Sequence, residues 1–359
     1  MGDGATGQRD AIDALTLLAL PRVGLREWHR RVADAGSAGA ALARMPHAER
    51  ELAAREAQTV VEHAVASGYT LLVHGTVGYP AALYDLTHCD ERAVTPAPPV
   101  LFAEGDCALL DRPTVALVGT RHATAAGLRA GERIARTCAE AGALVISGLA
   151  RGVDAAAHTG ALDGSGNTAA VIGTGIDVAY PADHRSLQRR IARDGLLLTE
   201  LPPGQRATRG SFPERNRLIA ALAQVTVVVE AGHRSGALLT ARIAESLNRG
   251  VAAVPGTFDA AASLGSNELL RDGAHVIATV DDVLALLRLA RADDRHAIAP
   301  PQLTEAERAI WDVLGSAPLD LDVVVERAGW AADACLAAVT TLELKGLVQA
   351  THAGALQRT

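Results

Sequence analysis

Four arginines, a phenylalanine and an asparagine fall within twelve residues, RATRGSFPERNR, from Arg206 to Arg217. Guanidinium groups fork onto phosphate oxygens and also stack on planar groups. An aromatic ring offers any unpaired base a π-face, worth roughly 1–3 kcal/mol per base. The stretch therefore suits a single-stranded nucleic acid, with no need to read its sequence. Ser211 and Glu214 stand three apart ahead of the apolar run LIAALA, the spacing of a capping box, which predicts a helix with Phe212 in its first turn. A helix N-terminus adds its own attraction for phosphate. The competing reading is an ordinary capped amphipathic helix with solvated arginines and a half-buried phenylalanine.

A second candidate is GTRHATAAG at 119–127. It follows an apolar strand and opens a helix, where small residues let backbone N–H groups approach phosphate and where Arg121 stands at a strand's carboxyl end. The run is not GxGxxG, and neither is GTGIDV at 173–178. No acidic residue about twenty positions past the first loop makes a clear ribose ligand, so a nicotinamide dinucleotide is disfavoured and no cofactor is expected. GLARGVDAAAH, from Gly148, sets Asp154 and His158 at i and i+4 on one helical face. They could serve as acid and base, or as a dipole-complementing carboxylate and a hydrogen-bonded histidine beneath the loop. No nucleophile or metal-ligand cluster accompanies them, which favours the structural role. Glu230, Arg234, Ser235 and Thr240 in EAGHRSGALLTA could line the same crevice.

The elements that would position these residues are legible. From residue 113, short apolar strands (TVALVG, ALVISG, TAAVIGTG, GLLLTELP, VTVVVEA, VAAVPG, HVIAT) alternate with helical stretches. This pattern predicts an α/β fold, a Rossmann-like doubly wound and mostly parallel sheet. Ligands of such sheets bind at the carboxyl ends of the strands, where the small and charged residues gather here. Residues 1–75 read as a small helical domain, with a Pro/Gly turn in DALTLLALPRVGLREWHRRVADAG, and 76–290 as the sheet domain. Residues 87–99, with three prolines, read as an exposed connection. A polar linker at 291–302 leads to 303–359, whose three helices and terminal strand pair read as a winged helix. Its third helix offers only Lys345 as a cation, which disfavours major-groove reading.

Composition agrees with a globular protein: 49% hydrophobic and 21% charged residues over 359. No apolar run approaches the roughly 18 residues of a membrane span, and a cytoplasmic protein with no membrane partner is expected. Cys89, Cys107, Cys138 and Cys335 lack CxxC spacing, so neither a disulfide framework nor a zinc site is implied. The net charge of −7 conceals an asymmetry, since residues 185–217 hold eight arginines against Asp194, Glu200 and Glu214. A basic patch on an acidic body fits a defined groove rather than general adhesion to nucleic acid.

The succession VALVGTR, ISGLARGVDAAAH, AVIGTGIDVAYP, LTELPPG, SFPERNRLIAALA, VVVEAGHRSGALLTA, AAVPG and GSNELLRDGA, over roughly 113–285, resembles the DNA-processing protein A (DprA/Smf) family. The resemblance implies an extended Rossmann fold that binds single-stranded DNA in a positive pocket and forms a homodimer through that fold. It also implies a protein that loads the recombinase RecA onto the strand in natural transformation, without catalysis of its own. Carried over by motif, the pocket would use Gly119, Thr120, Arg121, Gly148, Arg209, Phe212, Arg215, Asn216 and Arg217. Arg121, Arg209 and Arg217 would take phosphates, Phe212 a base, and Asn216 a base edge or the loop itself. The alternative is a nucleotide-cleaving or nucleotide-sensing enzyme on a related scaffold, using Asp154, His158 and Glu230. A third reading is an interaction scaffold whose winged helix recruits a partner.

Overall fold

The computed structural model describes residues 3–89, 94–208, 210–291, 303–314, 319–345, 347–350 and 355–358. The chain divides into two units, residues 1–292 and 293–359.

The first unit begins with four helices, α1 (Asp3–Ala19), α2 (Leu25–Ala35), α3 (Ala38–Ala43) and α4 (His47–Ala66). α1 turns Ala11, Ala14 and Leu17 inward at three-residue spacing, and the buried Trp28 of α2 donates its indole N–H to Ala14 O at 3.0 Å. The chain then runs β1 (Thr70–Val73), α5 (Tyr84–His88), β2 (Val100–Gly105), β3 (Thr114–Gly119), α6 (Ala125–Glu140), β4 (Leu144–Ser147) and α7 (Val153–Gly164). It continues through β5 (Thr168–Val171), α8 (Arg185–Asp194), β6 (Leu196–Thr199), α9 (Ser211–Leu222), β7 (Val225–Glu230) and α10 (Gly236–Ser246), and closes with β8 (Gly250–Ala253), α11 (Leu264–Arg271), β9 (His275–Val276) and α12 (Val280–Leu286).

Among the described residues these strands form one sheet in the order β1-β2-β6-β5-β4-β3-β7-β8-β9. The run from β6 to β9 is parallel and only β2 is reversed against its neighbours. Chain order moves outward from β3 through β4 and β5 to β6, then returns to β7 on the other side of β3. This reversal places a crevice at the carboxyl ends of β3 and β7. β3 is buried on both faces because helices cover the sheet above and below, which is why TVALVG carries no polar alternation.

Three expectations need correction. β1 belongs to the sheet, so the sheet begins before residue 76, and the N-terminal helices form one unit with it instead of a separate domain of 1–75. A four-residue strand paired to a reversed neighbour leaves too little periodicity to be read. The connection at 87–99 is not exposed throughout. Val94 and Ala97 are buried, and the carbonyls of Val94 and Ala97 meet Arg26 (2.8 Å) and His29 (2.8 Å) of α2. The prolines lie under α2 rather than in solvent; residues 90–93 fall outside the described set.

The second unit contains α13 (Glu305–Val313), α14 (Leu321–Ala328) and α15 (Ala332–Leu344), with β10 (Val348–Ala350) antiparallel to β11 (Leu356–Arg358). Thr304 and Glu307 form the capping box of α13. Ile310, Val324, Cys335, Val339 and Leu342 make its core, the arrangement of a winged helix. Lys345 is tied to Glu307 at 2.7 Å.

Candidate nucleic-acid interface

The crevice predicted by the strand order is present as a cleft of about 470 Å³. Its walls come from the turn after β3, the first turns of α9 and α10, and the loop that follows β7. Two helix N-termini therefore open onto one cavity, which favours an anionic ligand.

The turn after β3 is held from below. Thr120 N–H donates to Glu230 O at 2.7 Å, and the buried Glu230 carboxylate accepts from Thr124 N–H and Thr124 Oγ1, each at 2.8 Å. Glu230 is thus occupied in closing the loop. Gly119 and Thr120 line the cleft, and Arg121 extends over it with its Cζ 5.5 Å from the centroid of the Phe212 ring. Arg121 is exposed and has no ion pair among the described residues, so its charge faces solvent. Phe212 lies in the first turn of α9, half-buried, with its other neighbour Tyr180 at 4.9 Å and a 36° interplanar angle. A cation and two rings at the mouth of a cleft form a platform for a phosphate next to a base.

The remaining arginines of the run separate. Arg215 and Arg217 are two positions apart, hence about 200° around the helix, and α9 is covered on both sides. Arg215 turns under the cleft, 4% exposed, and donates from Nη1 to Gly148 O at 2.6 Å and to Val171 O. Burial lowers its pKa to about 10 and the nearby Asp154 opposes that, so it remains a cation at neutral pH. It lines the floor of the cleft and places positive potential there.

Arg217 is 2% exposed, paired with Glu200 Oε2 at 2.5 Å on the opposite side, within electrostatic reach of His29 and Tyr79. Where the sequence led to an expected phosphate contact, the structure holds Arg217 in an internal ion pair. Gly148 lines a recess with Arg121 and Phe212, its N–H donated to Asp154 Oδ2 at 3.1 Å and its carbonyl accepting from Arg215. Asn216, between the two arginines, faces the cleft with Nδ2 3.5 Å from Gly236 O at the start of α10. Arg209 lies outside the described residues. Ser211 and Glu214 do not form a capping box. Ser211 is the first helical residue and its hydroxyl meets Thr208, while Glu214 accepts from Thr95 Oγ1 at 3.2 Å.

Asp154 and His158 hold the loop after β4. Asp154 Oδ2 accepts from Gly148 and Ala150 N–H. The fully buried His158 has Nδ1 2.8 Å from Thr168 Oγ1, and Leu149 N–H donates to its Nε2 at 3.3 Å. Thr168 gives its own hydroxyl proton to Val145 O, so the ring is neutral with the proton on Nδ1. Burial, Arg215 and His184 pull the His158 pKa down to about 3. The folded pKa lies below the ordinary 6.5, so the unfolded chain takes up a proton first as pH falls and stability drops from about pH 6.5 toward pH 3. The melting temperature is expected to fall by several degrees across pH 6.5 to 4.5, more steeply than in His158→Gln, as read by calorimetry at matched ionic strength.

The family model for DNA recombination-mediator protein A matches residues 70–288. The chain belongs to the DNA recombination-mediator protein A family. A DprA winged helix domain model matches residues 295–354, in agreement with the second unit. A putative DNA processing protein DprA of Mycobacterium tuberculosis is 42% identical over 260 residues, covering 70% of this chain and 67% of the relative. The X-ray structure of DprA from Streptococcus pneumoniae superposes with a TM-score of 0.60 at 31% identity, over 78% of this chain and 96% of that one. A Helicobacter pylori DprA structure, described for its single-stranded DNA binding mode, gives 0.54 at 31% identity over 61% and 95%.

The sequence reading omits one residue, Tyr180, which lines the recess beside the cleft with Arg121 and Phe212. Tyr180, 48% exposed, backs the Phe212 ring. Its signal is the lone aromatic after a strand's carboxyl end in GTGIDVAYP. Arg234, which the sequence placed in the same crevice, is exposed and lines this DprA-family cleft as a second cation. Among the described residues no cluster of His, Cys, Asp and Glu could hold a metal, and all four cysteines are free. No described helix is long and apolar enough to cross a membrane.

Proposed function

We propose that the protein is a single-stranded DNA-binding recombination mediator that shields the strand and loads RecA onto it, in natural transformation or another recombination step, without catalysing a reaction. It acts in the cytoplasm as a homodimer through the first unit. The observation that carries this reading is the exposed Arg121 guanidinium over the half-exposed Phe212 ring, at the point where the strand order reverses. Arg121 and Arg209 bind phosphates, Phe212 and Tyr180 stack a base, Asn216 meets a base edge, and Arg215 supplies a fixed positive field from below. Asp154, His158 and Glu230 have their hydrogen-bonding capacity directed into the loops, which supports a binding role over nucleotide cleavage.

Oligo-dT should bind more tightly than matched duplex, and affinity should fall with salt as counterions are released. Phe212→Ala should cost about 1–3 kcal/mol with the salt slope unaltered. Arg121→Ala should weaken binding and reduce the slope by about 0.7. Both variants should lose the acceleration of RecA filament growth on coated strand. Fluorescence anisotropy at several salt concentrations measures the binding terms, and wild-type affinity in both variants would exclude the cleft as the site.

A further inference from the structure

One face of α8, outside the cleft, carries three arginines, two of them without an acidic partner among the described residues. Arg185, Arg189 and Arg193 stand at i, i+4 and i+8, so they step along one side of the helix by about 6 Å each. All three line a groove of about 370 Å³ together with Tyr69, which precedes β1. Arg193 is bonded to Asp194, and Arg190, directed elsewhere, to Asp163. Arg185 and Arg189 are exposed and make no ion pair or hydrogen bond among the described residues.

Two acids share the groove. Asp177 Oδ1 is already engaged by Gly204 N–H at 2.7 Å, and burial pushes the Glu104 carboxyl above its ordinary range. Neither acid is paired with Arg185 or Arg189, which leaves two guanidinium groups on the groove wall free to meet an anion. It is also lined by Ala179, and the next residue, Tyr180, lines the recess shared with Arg121 and Phe212. The two recesses are thus adjacent across one peptide bond. Helical steps of one turn suit the successive phosphates of an extended strand, and a tyrosine beside them suits an unpaired base.

We propose that this groove is a second stretch of the single-strand path, in which the strand leaving Phe212 and Tyr180 passes Ala179, lays phosphates on Arg185 and Arg189, and stacks a base on Tyr69. The assignment rests on the single-strand reading of the cleft and extends it to a site that short ligands do not reach.

Oligo-dT length separates the two. The full chain would be titrated with dT of about 6 and about 20 nucleotides. Arg185→Ala/Arg189→Ala is expected to weaken the longer oligonucleotide about 10-fold at low salt and to flatten its slope by about 1.4, from two contacts at about 0.7 each. The shorter one should change less than about twofold. Tyr69→Ala should weaken the longer oligonucleotide with its slope intact, and Tyr69→Phe should restore it. Unchanged binding of the longer strand overturns the proposal. So does equal loss at both lengths, because the arginines would then act on the cleft or on the fold. Failure of the cleft reading is separately visible, as Arg121→Ala would leave the shorter strand unaffected; the longer strand then still decides whether α8 binds DNA.

Discussion

Arg217→Met is expected to destabilise the first unit by about 3–5 kcal/mol, because it leaves the largely enclosed Glu200 carboxylate without its partner. Pairing it with Glu200→Leu should recover most of the loss, since apolar replacement of a buried ion pair is often neutral or better. Denaturant titration measures both. Below the melting transition, the single variant should bind oligo-dT with wild-type salt slope, as its charge sits on the far side of α9 from the cleft. A stable Arg217→Met protein with a shallower slope would instead make Arg217 a phosphate ligand.

The second large effect is at Gly152, the residue before α7, whose φ of +79° and ψ of −127° are rarely adopted by residues with side chains. A methyl group there would stand 2.3 Å from Thr120 O and 2.9 Å from the Arg121 carbonyl carbon, both backbone atoms of the turn that carries the exposed arginine. Gly152→Ala should therefore cost about 1–3 kcal/mol in strain. It should also move Arg121, with about 10-fold weaker single-strand binding, equivalent to about 1.4 kcal/mol. Gly142→Ala is the control. Its φ is +92° but nothing lies within 4 Å of the added methyl, so stability should fall while affinity holds. Equal affinity loss in both would mean that the turn is not what couples Gly152 to the ligand.

Much of this arrangement is legible in the sequence, and the failures are physical rather than random. The central strands declare themselves because each is mostly apolar, without polar alternation, and bounded by small residues. Their carboxyl ends point to the cleft and to Arg121, whereas Phe212 is singled out by the arginine-rich run around it. Arg217 misleads because a charge run normally marks a solvated face, whereas α9 is packed on both sides and has no such face beyond its first turn. The information that buries it lies in Glu200 and the N-terminal helices, at large sequence separation. Ser211 and Glu214 mislead for a related reason: Thr95 and Thr208 offer them partners that local spacing does not reveal. Tyr180 is overlooked because a single aromatic has no periodicity.

The core between the N-terminal helices and the sheet joins Leu17, Trp28 and Val61 to Phe102, Leu149, Ile172 and Leu197. During synthesis the first group leaves the ribosome long before the last of its partners exists. At ordinary elongation rates the delay from Val61 to Leu197 is on the order of ten seconds. Through that interval the four helices carry an uncovered apolar side, and a nascent chain stalled short of β6 presents the surface that chaperones recognise.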